Sequence, residues 1–438
     1  MISLATARAL DAADPLRSYR DLFATATAGD AGGSTEGGTG TDPFGTVYLD
    51  GNSLGRPTTA SIENVHRFLT EEWGSRLIRG WDERWMALPE VIGDRMGQVA
   101  LGAAPGQTIV GDSTTVLLYK LIRAALRARP DRDEVVIDAD SFPTDRFVLQ
   151  GIAAECGVTL RLVHTDAAAG VVPETLADVL GPRTALVVLS QVAYRSGFLA
   201  DAPAITDIVH RAGALMLWDV CHSAGVVPTE LDAWGVDIAV GCTYKYLNGG
   251  PGSPAFAYVR ADLQTELEQP IWGWMGAADV FAMAPDYAPA RGMRRYLSGT
   301  PPISAMIAMQ HTLELIADAG MGPIREKSVA LTEFVIELAD TTLARHGVRV
   351  SSPRNAERRG SHVTLSHRSF RAVTAALWRR NVIPDFRSPD GLRVGLAPLS
   401  TSFEEAFRGM AAIDDELDAA AHRNDGAAPS GTEVSGAS

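Results

Sequence analysis

Two apolar runs that end on reactive side chains carry the chemistry of this sequence. In ALMLWDVCHSAG one run ends at Asp219, and in VDIAVGCTYKYLNGG a second passes into Thr243, Tyr244 and Lys245. If both runs are neighbouring strands, their polar ends emerge together at the carboxyl edge of a sheet, where open α/β sheets bind ligands. An amine and a carboxylate converging there suit pyridoxal phosphate. The lysine supplies nitrogen for a Schiff base, and the aspartate holds a proton on the pyridine nitrogen so that the ring accepts electrons. Such a cofactor also needs a phosphate seat. GDSTTVLLYKLI (111–122) puts Gly-Asp-Ser-Thr-Thr directly before an apolar helix, whose free N–H groups and hydroxyls suit an anion, although the same residues also read as an ordinary N-cap. At a second helix start, DADSFPTDRFV (138–148), Phe142 could stack on a flat ring, and Asp145 could accept from a ring hydroxyl or cap the helix.

The elements that must position these residues follow from the apolar pattern. VVID (135–138), LRLVH (160–164), ALVVLS (185–190), ALMLWD (214–219), VDIAVG (236–241) and FAYV (256–259) alternate with longer helical stretches. Continuous apolar strands alternating with helices predict an α/β fold with a mostly parallel sheet covered on both faces. After Pro302 a helical stretch, about 303–346, gives way to VRVSS, HVTLS, a helix at 371–381, IPDFR, LRVGLAP and a last helix near 403–421, which predicts a smaller α+β domain joined by a continuous helix. The expected division is an N-terminal helix and Gly/Thr-rich flexible loop at 1–50, belonging to the small domain. A large cofactor-binding domain follows at 51–310, then the small domain at 311–421 and a disordered tail at 422–438.

Composition narrows the function classes. The 438 residues are 46% hydrophobic and 21% charged, which excludes mainly disordered and fibrous chains. Lys and Arg number 39 against 53 Asp and Glu, a net charge of −14 that repels a phosphate backbone, so no nucleic-acid partner is expected. No apolar run approaches a membrane span, and the start lacks the pattern of an export signal, so the expectation is a soluble, unexported protein without a membrane partner. Cys156, Cys221 and Cys242 show no CxxC spacing, which suggests neither a disulfide framework nor a metal site and fits a reducing cytoplasm.

The strings YLDGNSLG, GDSTTV, SFPTDRF, WDVCHSAG, TYKYLNGGPGSPAF, GWMG, SGTPPI, RGSHVTLS and DFRSPDGLRVGLAPL occur in the order and type of the kynureninases, and the chain resembles that family from about residue 8 to 420. The resemblance implies a fold type I pyridoxal phosphate enzyme, class-V aminotransferase-like, with a seven-stranded-type sheet. It implies hydrolysis of the Cβ–Cγ bond of L-kynurenine or 3-hydroxykynurenine, giving anthranilate or 3-hydroxyanthranilate and L-alanine. By the same resemblance Lys245 is the Schiff-base lysine and Tyr244 a phosphate contact and proton donor or relay. Asp219 and His222 lie against the pyridine, while Thr114, Thr115 and Ser190 contribute to the cofactor site and Phe142 and Asp145 stack on and bond the ring. Trp274 and Thr300 reach the phosphate from a neighbouring subunit, which implies a homodimer with shared sites. Arg393 clamps the substrate carboxylate, and Ser53 lines the substrate pocket. The sequence departs from the family pattern at Ala277, where GWxG usually continues with His, and at Ser400, where Pro-Leu-Tyr is usual. Lost hydrogen-bonding groups redirect recognition when they line a pocket, so alternatives are a relative that cleaves a ring-substituted kynurenine and other chemistry of the cofactor, such as desulfuration or transamination. A cofactor-binding scaffold without turnover would lack Lys245 or Arg393, and both are present.

Overall fold

A computed structural model of the chain describes residues 2–24, 45–166 and 168–425. The Gly/Thr-rich stretch read at 25–42 lies outside them, as do residues 426–438 of the expected tail; the last helix, Phe403–Asp425, extends into the remainder of that tail.

After the short strand β1 (Val47–Tyr48), the central sheet is built from β2 (Thr108–Val110), β3 (Glu134–Asp138), β4 (Thr159–Val163), β5 (Thr184–Ser190), β6 (Leu215–Asp219), β7 (Ile238–Cys242) and β8 (Ala255–Val259). Its order is β2-β8-β7-β6-β5-β3-β4, with β8 antiparallel to both neighbours and every other pair parallel. The inner strands β5 to β8 are almost unbroken apolar runs because both faces are covered, whereas the edge strand β4, TLRLV, is exposed over most of its length. Val135, Ile137, Leu186, Val188 and Leu217 enter one core, while Val136, Val187, Met216 and Trp218 enter the other. Each such side chain, fully withdrawn from water, contributes about 1.5–3 kcal/mol before conformational entropy is set against it. From β3 the chain moves outward to β4 and returns on the other side of β3 as β5, so the order reverses between β3 and β5. The crevice at their carboxyl ends is the place where such sheets bind ligands.

A second sheet contains β9 (Arg349–Val350), β10 (His362–Ser366), β12 (Asp385–Arg387) and β13 (Gly391–Gly395), antiparallel in the order β12-β13-β10-β9. The intervening β11 (Val382–Ile383) pairs in parallel with β1. A third apolar cluster joins Ala7, Val47 and Leu49 to Val363, Leu392, Val394 and Phe403.

The continuous helix expected over about 303–346 is instead two, Ile303–Ala319 and Met321–Leu338. Gly320, at φ 76°, breaks between them, a conformation that glycine adopts without the penalty of a Cβ. Apolar residues continue on both sides of the break, which is why their pattern alone reads as one helix. Among the described residues no helix is long and apolar enough to cross a membrane.

Candidate active site

Beyond the end of β7, Thr243 ties the chain down: its hydroxyl bonds Ser253 Oγ at 2.7 Å, and its carbonyl accepts from Gly249 N at 2.8 Å. Lys245 emerges from this knot, buried, with its Nζ 3.3 Å from each ring nitrogen of His222. The GNSLG turn passes so close that a Cβ on Gly55 would lie 2.3 Å from the Lys245 carbonyl oxygen, so glycine is required there. On the neighbouring strand Asp219 ends β6, in register with Ser190 of β5 and Val240 of β7. One carboxylate oxygen accepts from Cys221 N at 2.8 Å, and the other faces Ser190 Oγ at 3.5 Å. Adjacent parallel strands therefore bring Lys245, His222, Asp219 and Ser190 to one sheet edge.

Phe142 and Asp145 arrive from the other side of the crevice, at the start of the helix Pro143–Cys156 that follows β3. Phe142 meets Tyr194 edge-on, with ring centroids 5.3 Å apart. Asp145 is buried, and its Oδ2 has no hydrogen-bond partner. Burial first, and then the Asp219 carboxylate, push the Asp145 carboxyl well above its ordinary range, with Lys245 opposing. That rise favours the protonated form, in which Asp145 can donate toward a ligand. His222 is driven the other way: burial, then Lys245 and Arg393, hold it well below the usual imidazole range, so it faces the lysine uncharged. Burial also raises the Tyr244 phenol, which keeps its proton.

Thr114 and Thr115 open the helix Thr114–Ala128, which Ser113 caps by accepting from Val116 N at 3.4 Å. Neither threonine hydroxyl has a hydrogen-bond partner among the described residues, and first-turn N–H groups are unsatisfied by helix geometry. An orphaned buried carboxyl, a lysine amine held against a neutral histidine, and free donors at a helix start fit pyridoxal phosphate.

Arg393, on β13, is buried and fully engaged. Its Nε and NH2 lie 2.7 and 2.6 Å from a single Asp385 oxygen, NH1 donates to Tyr194 O at 2.6 Å, and NH2 donates to Ser53 Oγ at 2.9 Å. Arg393 and Ser53 are thus in direct contact across more than three hundred residues of sequence. Trp274 and Thr300 are exposed, on adjoining segments linked by Met275 N to Ser298 O at 3.2 Å, and neither makes a hydrogen bond or ring contact with the Lys245 cluster. Ala277 follows Trp274 and bridges to Pro289. Ser400 borders a 460 Å³ cavity with Arg8, Arg20, Arg56 and Glu405, whose lining includes none of Lys245, His222 or Arg393.

Residues that the sequence reading left without a role also meet here. His362 of RGSHVTLS is fully buried with neither ring nitrogen partnered, and its ring lies 5.8 Å from that of His222. Asn52 packs so tightly on Gly395 that a Cβ there would fall 1.7 Å from Asn52 Oδ1. Asp50, beside Ser53, is pushed up to about 6, chiefly by burial, with Asp385 adding to the rise and Ser53 opposing it. Each belongs to a string already quoted above, and polar types inside apolar or glycine-rich contexts were the available signal. Elsewhere, among the described residues, only His346, Asp414 and Asp418 cluster as metal ligands could, and Arg345 already pairs with both carboxylates.

Sheet and site together define a pyridoxal phosphate-dependent enzyme of fold type I. The solved structures with this fold include the cystine C-S lyase C-DES in complex with cysteine persulfide (TM-score 0.74, 20% identity, 84% of this chain and 97% of that one). A cysteine desulfurase from Thermococcus onnurineus NA1 is similar to the same degree (TM-score 0.74, 17% identity, 85% of this chain and 95% of that one). A family model described as the kynureninase C-terminal domain matches residues 324–413. The kynureninase of Pseudomonas fluorescens is 40% identical over 417 residues, covering 94% of both chains, and that of Burkholderia pseudomallei (strain 1106a) is 39% identical over 424 residues, covering 95% of this chain and 96% of its own. The chain belongs to the kynureninase family.

Proposed function

We propose that the protein hydrolyses the Cβ–Cγ bond of kynurenine, adding one water and releasing anthranilate and alanine. The observation that carries this reading is Lys245 Nζ held 3.3 Å from an uncharged His222, beside Asp219, in a member of the kynureninase family. Bound pyridoxal phosphate supplies the electron sink that labilises the substrate's α-proton and its Cβ–Cγ bond. The remaining work falls to the chain's own residues. Lys245 would hold the cofactor through its amine, which when free could carry the α-proton. Asp219 would hold the pyridine nitrogen, His222 would support the ring beside it, and Asp145 would hydrogen-bond a ring oxygen. Ser190 and Phe142 would help hold the cofactor ring. Thr114 and Thr115 bind the phosphate. Arg393 takes the substrate carboxylate in a two-point contact, relaxing its hold on Ser53, which then lines the pocket. Tyr244, whose phenol stays protonated, would deliver a proton to Cβ as water added at the γ-carbonyl lets the aryl fragment leave as anthranilate.

The exposure of Trp274 and Thr300, away from their own Lys245, supports a homodimer in which they complete the partner's phosphate site. Three free thiols are in keeping with work in a reducing cytoplasm. Incubating the purified enzyme with kynurenine and following anthranilate fluorescence tests the reading: steady turnover supports it, and no fluorescence with a cofactor-loaded enzyme overturns it.

A further inference from the structure

The turn that opens the helix Thr114–Ala128 contains an acid where an anion should be unwelcome. Asp112 stands two residues before Thr114, in a left-handed conformation at φ 51°, and the turn is clipped to β8 by Gly111 N to Ala255 O at 2.9 Å and Ala255 N to Asp112 O at 3.0 Å. A carboxylate next to a bound phosphate dianion raises the free energy of the complex through like-charge repulsion.

Lys120 answers it. Its side chain, completely buried, runs back toward the helix start, and Nζ pairs with Asp112 Oδ2 at 2.6 Å and donates to Tyr296 O at 2.9 Å. Burying an ammonium is costly unless its partners are well placed, and an apolar residue would fill the same space without that cost. Burial drives the Lys120 ammonium below its ordinary range while Asp112 opposes the fall. The second bond ties the turn to the segment Gly292–Tyr296, which leads on to Thr300.

We propose that Lys120 is a positioning residue for the cofactor phosphate: it cancels the Asp112 charge, turns that carboxylate toward the helix, and holds the Ser113–Thr115 turn in the shape that receives the anion. The proposal rests on the reading of that turn as the phosphate seat. Lys120 itself touches no phosphate in this account, and its effect is transmitted through Asp112.

The test titrates the apoenzyme with pyridoxal phosphate and with pyridoxal, which lacks the phosphate, following cofactor absorbance, and records the thermal melt of each apoprotein. Wild type should prefer the phosphorylated form. Lys120→Met should weaken pyridoxal phosphate on the order of 10-fold or more, leaving pyridoxal unchanged, because an uncompensated carboxylate then faces the phosphate. Asp112→Asn/Lys120→Met should recover most of that loss, which no merely structural role for the lysine would produce. Equal weakening of both ligands, or a double variant no better than the single, overturns the proposal. Should Lys120→Met fail to fold, Asp112→Asn alone decides: affinity for pyridoxal phosphate at or above wild type supports the proposal, and a fall overturns it. A wild type without preference for the phosphorylated form would overturn the phosphate seat itself, a result distinct from a preserved preference that ignores Lys120.

Discussion

Replacing Asp50 by Asn should make the protein more stable, and increasingly so as pH rises. Asp50 sits largely out of water with its Oδ1 unpartnered, and its carboxyl titrates near 6 in place of 3.8, chiefly through burial. The folded state therefore holds this proton more tightly than the unfolded chain does. Between about pH 4 and pH 6 the folded protein binds more protons, so stability falls as pH rises through that window and stays reduced above it. The full penalty on the ionised form is about 3 kcal/mol, and at pH 5 roughly half of it is already present. Asn keeps the shape and carries no charge, so the advantage of Asp50→Asn should grow by about 1 kcal/mol between pH 5 and pH 8. Urea unfolding of the cofactor-saturated protein and the variant at both pH values, read as midpoints and slopes, measures it. An advantage that stays flat with pH, or a wild type more stable than the variant at pH 8, refutes the reasoning.

Arg393→Lys should raise KM for kynurenine about 10- to 100-fold while the cofactor absorbance band stays in place, because a point charge cannot reproduce the planar two-point contact; steady-state kinetics with an absorbance spectrum checks this. Mixed dimers of Lys245→Ala and Trp274→Ala chains should regain activity that neither homodimer has, since one site in the hybrid then draws on two intact contributions, and a fully active monomer in sedimentation would contradict it. Ser400→Tyr should leave the ratio of kcat/KM for kynurenine to that for a ring-substituted analogue unchanged, as Ser400 opens on a different cavity. Ala277→His, next to Trp274, should move that ratio by ~1 to 3 kcal/mol, measured by competition between the two substrates.

The sheet was readable in sequence because strand burial is a local pattern. Runs such as VVI and ALVVL are apolar at every position where both faces are covered, and the ends of ALMLWD and VDIAVG put Asp219 at, and Lys245 just beyond, the carboxyl end of a strand. The contacts that give Arg393 its setting were not readable. Asp385, Tyr194 and Ser53 reach it from three separate parts of the chain: Asp385 through the register of β12 with β13, the Ser53 turn through the bridge of Asp50 to Gly395, and Tyr194 beside Arg195, whose carbonyl accepts from Thr364 of β10. His362 illustrates the same gap. Its pairing opposite Gly395 turns it toward His222, while its own neighbours in sequence show only a strand. Spacing alone leaves Ser400 open: seven residues after Arg393 says nothing of direction once β13 has ended and the chain has turned at Ala397, whose carbonyl accepts from Ser400 N at 2.9 Å.

The central claim, hydrolytic cleavage of kynurenine, is tested most directly by turnover in water enriched in oxygen-18, with both products analysed by mass spectrometry. The account predicts equal amounts of anthranilate and alanine, label in the anthranilate carboxylate, none in alanine, and no products from Lys245→Ala. Unlabelled anthranilate, or consumption of kynurenine without alanine, would contradict it.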